Sequence, residues 1–285
     1  MSRECRILKA DKVQEILEKE IREFLSREGA FPPTLGILRL GEEADQISYE
    51  RAAQRNMGKF GIQTRVFAYP AAVSLEKVED VIRQINIDRS IHGLLILRPL
   101  PEHISEQRLG ELLSPEKDMD GFSLGNQNAV MKGESKNQWA PCTARAVMEI
   151  LKAYAIPLEG KKVVVLGRSM VIGRPAAMMA LDENATVTIC HSKTTGLKEE
   201  CRRADILIAA VGQAGMVQCD YIKEGAVVID VGINYIEGKL VGDVDFSSVQ
   251  KKAAALSPVP GGVGGVTNYI LARNLARSYQ NSLRE

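Results

Sequence analysis

The chain reads as an α/β protein built from two three-layer domains. Three observations carry that reading. Short apolar runs rich in β-branched residues alternate with stretches of helical periodicity, the pattern of parallel strands joined by crossover helices. Residues 160–194, GKKVVVLGRSMVIGRPAAMMALDENATVTICHSKT, hold strand, glycine turn, helix and strand in one unit. The length of 285 residues is enough for two domains with ample cores.

The elements in order justify it. Residues 11–29 form an amphipathic helix, with Val13, Ile16, Leu17, Ile21, Phe24 and Leu25 at helical intervals. A strand over 34–40, a helix over 45–60, a strand over 64–69, a helix over 74–87 and a buried strand over 92–97 follow, the last stopped by Arg98-Pro99. A short helix covers 105–113. The stretch 114–122, SPEKDMDGF, sets Asp118 and Asp120 between proline and glycine, where turn capping alone accounts for such residues. Thr143 is placed to cap a helix over 143–154. The first domain is expected over 1–142 plus 268–285 and the second over 143–267.

In the second domain, 163–166 is a strand buried on both faces, Gly167 and Gly173 frame a turn, 175–181 is helical and 185–190 returns as a strand. Further strands are expected over 204–211, 226–231 and 253–257. Residues 258–267, PVPGGVGGVT, form a glycine- and proline-rich loop whose backbone can approach a flat ligand. A final helix over 268–283, carrying Ile270, Leu271, Leu275 and Tyr279, is expected to pack back on the first domain. The sequence holds no internal repeat and no low-complexity segment.

Composition narrows the function. With 37 Lys+Arg against 36 Asp+Glu, nothing points to nucleic acid or to an anionic membrane. No apolar run reaches a membrane span, and MSRECRILKA lacks the apolar core of a signal peptide. Five cysteines without a C-x-x-C pair fit reduced thiols in a cytoplasm. His92, His103 and His191 offer no metal-ligand spacing, so no metal is expected.

The glycines of the central unit have a physical purpose. Without Cβ atoms the backbone lets a pyrophosphate sit against the first N–H groups of a helix, where the dipole also favours negative charge. The spacing is G-x-S-x-x-x-G, only loosely the dinucleotide fingerprint, and a tight turn with no ligand stays open on this segment alone. The second strand ends in His191, Ser192 and Lys193, with Arg168 after the first glycine. Enzymes that prefer NAD carry a carboxylate there for the ribose hydroxyls. Arg, Ser and Lys instead suit a 2′-phosphate, which favours NADP.

Several motifs in one order resemble the bifunctional methylenetetrahydrofolate dehydrogenase/methenyltetrahydrofolate cyclohydrolase family over nearly the whole length. They are KDMDGF (117–122), PCT (141–143), GRSMVIGRP (167–175), ATVTICHSKT (185–194), VVIDVGIN (227–234), VGDVDF (241–246) and PVPGGVG (258–264). The resemblance implies two domains around a cleft, the C-terminal one a Rossmann-type NADP domain, a tetrahydrofolate derivative as substrate, and a homodimer. It implies cofactor contacts at Gly167, Arg168, Ser169, Gly173, Ser192 and Ile233. It implies folate contacts at Tyr49, Leu97, Asp120 and the loop of Pro260, Gly261, Gly262, Val263 and Gly264. Tyr49 would flank the pterin or benzoyl ring, and Asp120 would hold the pterin's amino and amide edge.

Departures cluster on the folate side. The family's Tyr-Val-x-x-Lys reads Tyr49-Glu-Arg-Ala-Ala53 here, so the catalytic lysine position is alanine. Its Val-Gln-Leu-Pro-Leu-Pro reads Ile96-Leu97-Arg98-Pro99-Leu100-Pro101, so the glutamine position is leucine. The serine that often opens the tyrosine-bearing helix is Gln46; Asn126-Gln127-Asn128 and Gly265-Val266 also depart. The expected activity is an NADP-dependent dehydrogenase with cyclohydrolase weak or absent. A fully bifunctional enzyme with another base, a nucleotide-binding pseudoenzyme and a reductase of a different pterin are the alternatives. As the replacement base of a bifunctional enzyme Arg98 is a poor candidate because neighbouring strand residues point to opposite faces; Arg51 and Arg55 lie well off the Ala53 face of the helix, and arginine does not readily deprotonate.

Overall fold

The computed structural model describes residues 4–26, 31–134 and 139–283. The chain begins with β1 (Arg6–Ile7) and α1 (Asp11–Leu25), then alternates through β2 (Thr34–Leu40), α2 (Ala44–Gly58), β3 (Gln63–Tyr69), α3 (Leu75–Ile87) and β4 (Gly93–Ile96). Three helices follow, α4 (Glu106–Leu112), α5 (Leu124–Met131) and α6 (Cys142–Ala153). Next come β5 (Lys162–Leu166), α7 (Gly173–Asp182), β6 (Thr186–Cys190), α8 (Leu197–Arg202), β7 (Ile206–Ala209) and β8 (Val227–Asp230). The hairpin β9 (Asn234–Ile236) and β10 (Lys239–Val241), α9 (Phe246–Val249), β11 (Ala255–Leu256) and α10 (Val263–Ser282) complete the order. Two compact units result, one of Ile16–Cys142 with Asn268–Glu285, the other of Met1–Glu15 with Thr143–Thr267.

The first unit holds a parallel sheet in the order β3-β2-β4. β2 is central and buried on both sides: Leu35 and Ile37 point one way and Leu38 and Leu40 the other, all nearly inaccessible. Leu38 and Leu40 pack with Leu94 and Ile96 of β4 against Val78, Val81, Ile82 and Ile85 of α3. Ser74 caps α3 by accepting from the Lys77 N–H, and Ser105 caps α4 by accepting from that of Arg108. At the far end of α3, the Lys117 ammonium donates to the carbonyls of Ile85, Asp88 and Ile91 at 2.9, 2.5 and 2.7 Å. Burial lowers the pKa of this lysine.

The second unit holds a six-stranded parallel sheet in the order β1-β11-β8-β7-β5-β6. Val163, Val165, Ile206, Ile208, Val228 and Ile229 are buried in it, as runs without polar alternation require. From β5 the chain goes outward to β6 and then back past β5 to β7, so the order reverses between β5 and β7. In open α/β sheets such a reversal leaves a crevice at the carboxyl ends of the strands, where ligands bind.

The structure differs from the sequence-based expectations at definite places. The first fifteen residues belong with the nucleotide-type unit and not with 16–142, because β1 pairs with β11 through Arg6↔Ala255 and Ile7↔Leu256. Helix α1 ends at Leu25, and residues 27–29 of the expected helix lie outside the described residues. Helix α5 was not foreseen. Helix α6 starts at Cys142, so Thr143 lies inside its first turn and is not the N-cap. Helix α10 starts at Val263, so the expected loop over 258–267 closes five residues early and Gly264 and Gly265 are helical.

Candidate active site

In the second unit the nucleotide-type site is made by backbone. Gly167 follows β5 with φ at 125°, a conformation that side chains oppose, and a Cβ there would run into the Ala210 carbonyl. Gly173 opens α7, and its Cβ would strike the Gly167 carbonyl. The Ser169 hydroxyl accepts from the N–H groups of Ile172 at 3.1 Å and Gly173 at 3.4 Å, so it braces the turn from within. Strand register then sets Arg168 and Ser192 at neighbouring strand ends. Leu166 pairs with Cys190, and the Gly167 N–H donates to the Cys190 carbonyl at 2.9 Å. Arg168 and Ser192 therefore stand two residues past paired positions on adjacent strands. Both are exposed, and neither side chain bonds to another described residue. The Lys193 N–H donates to His191 Nδ1 at 3.1 Å, and the His191 N–H to the Thr194 hydroxyl at 2.9 Å, which fix that turn.

Two buried carboxylates that sequence reasoning left unassigned hold the neighbouring loops. Asp243 accepts from the N–H groups of Val211, Gly212 and Gln213 at 2.6, 3.0 and 2.9 Å, and from Asn234 Nδ2 at 2.9 Å. Asp230 accepts from Gly232, Asp243 and Val244, each at 3.0 Å. Burial pushes Asp230 up to about 6 despite these donors. Ile233 is 61% exposed between them. In the turn Pro260, Gly261 and Gly262, which leads to Val263 and Gly264 of α10, the Gly261 carbonyl accepts from the Ala10 N–H at 2.8 Å. Gln14 Nε2 donates to the Gly265 carbonyl at 2.8 Å. The N-terminal segment thus secures this turn, through pairings that no local sequence signal marks.

In the first unit the site is made by side chains. The two carboxylates of KDMDGF divide sharply. Asp118 is fully buried and accepts from the N–H groups of Asp120, Phe122 and Ser123, the Ser123 hydroxyl and Asn126 Nδ2, over 2.8–3.2 Å. It is the hub of the loop. Asp120 is half-buried and accepts the Cys142 N–H, at 2.8 Å, with Oδ1, the Cys142 thiol lying beside it. A carboxylate has about four acceptor positions, so most of Asp120 remains available. Burial raises its pKa, while the Cys142 N–H and the Arg98 guanidinium pull it back.

Tyr49 on α2 is half-buried beside this carboxylate. Burial pushes its phenol well above the usual range, and the Asp120 carboxylate and Cys142 thiol push it further. One turn along the helix Ala53 is wholly buried, and Leu97 after β4 is 4% exposed. The two positions where a proton carrier and its partner were sought are packed hydrocarbon. Gln46, on the same helix, donates from Nε2 to the Pro99 carbonyl at 2.7 Å. Arg98 lies over the Phe122 ring at 4.7 Å from its centroid. This contact places the guanidinium against the loop that carries Asp120.

A nucleotide-type cradle at the carboxyl ends of a parallel sheet, together with a unit presenting an open carboxylate beside a phenol, defines a two-unit nucleotide-dependent α/β enzyme. Comparison with known proteins makes this specific. Residues 141–283 match the tetrahydrofolate dehydrogenase/cyclohydrolase NAD(P)-binding domain, and residues 8–120 match the catalytic domain of the same family. The chain belongs to the tetrahydrofolate dehydrogenase/cyclohydrolase family. It is 47% identical over 270 residues to the bifunctional protein FolD of Clostridioides difficile (strain 630), covering 94% of this chain and 93% of that protein. Its structure is similar to the bifunctional FolD of Campylobacter jejuni, with a TM-score of 0.91 at 36% identity over 97% and 99% of the two chains. It is similar also to the FolD of Trypanosoma brucei solved with NADP and an inhibitor, with a TM-score of 0.92 at 34% identity over 99% of each chain.

Proposed function

We propose that the protein oxidises 5,10-methylenetetrahydrofolate to the methenyl form with NADP, and that its cyclohydrolase activity is weak or absent. The burial of Ala53 and Leu97 carries this reading. When bound, NADP supplies the hydride acceptor. The chain's contribution to that step is placement: Asp120 accepts N–H groups of the pterin edge, Tyr49 flanks the ring, and no protein group takes a proton. Hydrolysis of the methenyl cation is different, because water must add and protons must move as the ring opens, which calls for a group titrating near neutrality. Ala53 and Leu97 offer none. Tyr49 and Cys142 are both pushed well above their usual ranges, away from neutrality, by burial first and by Asp120 second.

NADP is favoured over NAD because the Arg168 guanidinium and the Ser192 hydroxyl stand exposed at neighbouring strand ends with no carboxylate beside them. Cofactor contacts at Gly167, Ser169, Gly173 and Ile233 belong to the same reading, Ser169 acting through the turn it braces. Folate contacts at Pro260, Gly261, Gly262, Val263 and Gly264 and a homodimer rest on the family resemblance, and a cytoplasmic location on the five cysteines without a C-x-x-C pair. Among the described residues, no helix is long and apolar enough to cross a membrane.

The relatives' designation as bifunctional favours a second reading, in which both activities survive. Purified protein supplied with methylenetetrahydrofolate and NADP separates the two when NADPH and the methenyl product are followed independently. NADPH with persistent methenyl absorbance supports the first reading, and enzyme-dependent decay of that absorbance supports the second.

A further inference from the structure

Arg98 has no role in the function so far, yet its surroundings constrain it closely. The Leu97 N–H still donates to the Leu38 carbonyl at 2.9 Å, so the backbone keeps its strand course to the residue before Arg98. The Pro99 carbonyl is held by Gln46, three residues before Tyr49 on α2. The guanidinium lies over the Phe122 ring. Phe122 and Asp120 are fixed to each other, because Asp118 Oδ1 accepts the N–H of both, at 2.9 and 3.2 Å. Arg98 and Asp120 are therefore carried by one braced assembly. The guanidinium forms no ion pair or hydrogen bond with a described residue, so its five donors are uncommitted. Its charge nevertheless acts on the Asp120 carboxylate.

We propose that Arg98 and Asp120 together read the lactam edge of the pterin, the guanidinium donating to the 4-oxo oxygen while the carboxylate accepts from the adjacent ring N–H and the 2-amino group. This rests on the reading of Asp120 as the pterin anchor. The edge of an aminopyrimidinone runs acceptor, donor, donor. A carboxylate matches the two donors and leaves the carbonyl oxygen needing one, which arginine supplies. A 4-amino group would turn donors toward the guanidinium, so the pair selects 4-oxo over 4-amino pterins. Rejection of a mismatched polar group is strong where the site's own polar groups are left unpaired.

The test is calorimetry on the full chain with NADP present, using folic acid and its 4-amino analogue aminopterin. The unmodified protein should prefer folic acid. Arg98→Leu should lose about 10- to 100-fold in affinity for folic acid, the range of a charge-assisted hydrogen bond, with aminopterin binding unchanged or tighter. Arg98→Lys should retain part of the preference, and NADP affinity and melting temperature should stay constant in both variants. Equal binding of the two ligands by the unmodified protein overturns the proposal. So does an unchanged ratio in Arg98→Leu while Asp120→Ala abolishes binding of both. Undiminished folic acid binding in Asp120→Ala refutes the anchor itself, and the inference with it.

Discussion

The nucleotide-type site is built from backbone and the folate-type site from side chains. In the first, Gly167 and Gly173 sit where any Cβ would meet a carbonyl, and Asp230 and Asp243 spend their acceptor capacity on loop N–H groups. Its shape cannot change without disturbing the fold. In the second, α2 and the end of β4 present single side chains from a scaffold indifferent to their identity. Alanine at 53 and leucine at 97 are simply buried. A site of the first kind resists substitution, whereas a site of the second kind admits it and keeps its architecture.

The contrast breaks most visibly at the paired aspartates. Asp118→Ala removes the acceptor of several buried donors, each worth about 1–3 kcal/mol when left unpaired, and should destabilise the first unit by at least about 3 kcal/mol in chemical denaturation. Asp120→Ala should abolish folate binding in calorimetry while leaving NADP affinity intact. Comparable folding losses in the two variants would erase the distinction between hub and anchor. In the backbone-built site, Gly173→Ala should cost both stability and NADP binding, whereas unaltered NADP affinity would mean that the close approach is dispensable.

For the side-chain site, missing proton transfer should cost about 10²–10⁴-fold in hydrolysis rate, so methenyltetrahydrofolate should decay no faster than in buffer. Ala53→Lys alone should restore little, and Ala53→Lys with Leu97→Gln should restore more. Smaller still is Arg168→Ala, expected to weaken NADP by about 1–3 kcal/mol with NAD nearly unaffected. Equal losses for both cofactors would remove Arg168 from the 2′-phosphate. The finest test is pH. Asp120 accepts N–H groups with both oxygens when ionised and loses one of these acceptors to an O–H donor when protonated, and burial holds its pKa above the ordinary 3.8. Folate affinity should therefore weaken as pH falls, beginning at a pH where an ordinary aspartate remains charged. Arg98→Leu removes a cation that favours ionisation, so it should move that weakening to higher pH.

What the sequence made legible follows from how each feature is encoded. Buried parallel strands such as β5 and β7 are runs of Val, Ile and Leu, and the turn after β5 is marked by glycines that its geometry requires. Helix α5, LGNQNAVM, has no apolar stripe and is started by the Ser123 hydroxyl accepting from the Asn126 N–H, so periodicity misses it. The onset of α6 at Cys142 goes with Asp120, twenty-two residues earlier, accepting the Cys142 N–H, a distant partner that a local reading of Thr143 as N-cap does not reveal. Asp118 and Asp120 share one motif, and burial alone assigns them different work. The place of Arg98 over the Phe122 ring depends on the loop that Asp118 braces, a distant contact that no local pattern marks.

The pairing of β1 with β11 has a consequence for how the protein is made. Arg6–Ile7 leaves the ribosome some 249 residues before its partner Ala255–Leu256. Until then the segment has no ladder to join, since the Ala254, Leu256 and Gly261 carbonyls that take its N–H groups do not yet exist. Contacts so distant in sequence form slowly, because a long loop must close before they return any stabilisation. The strands from β5 to β8 have near neighbours and can pair first. This edge strand of the nucleotide-type sheet is therefore made before the sheet's other strands and is among the last to be placed, and the turn at Pro260 that the same segment secures is completed with it.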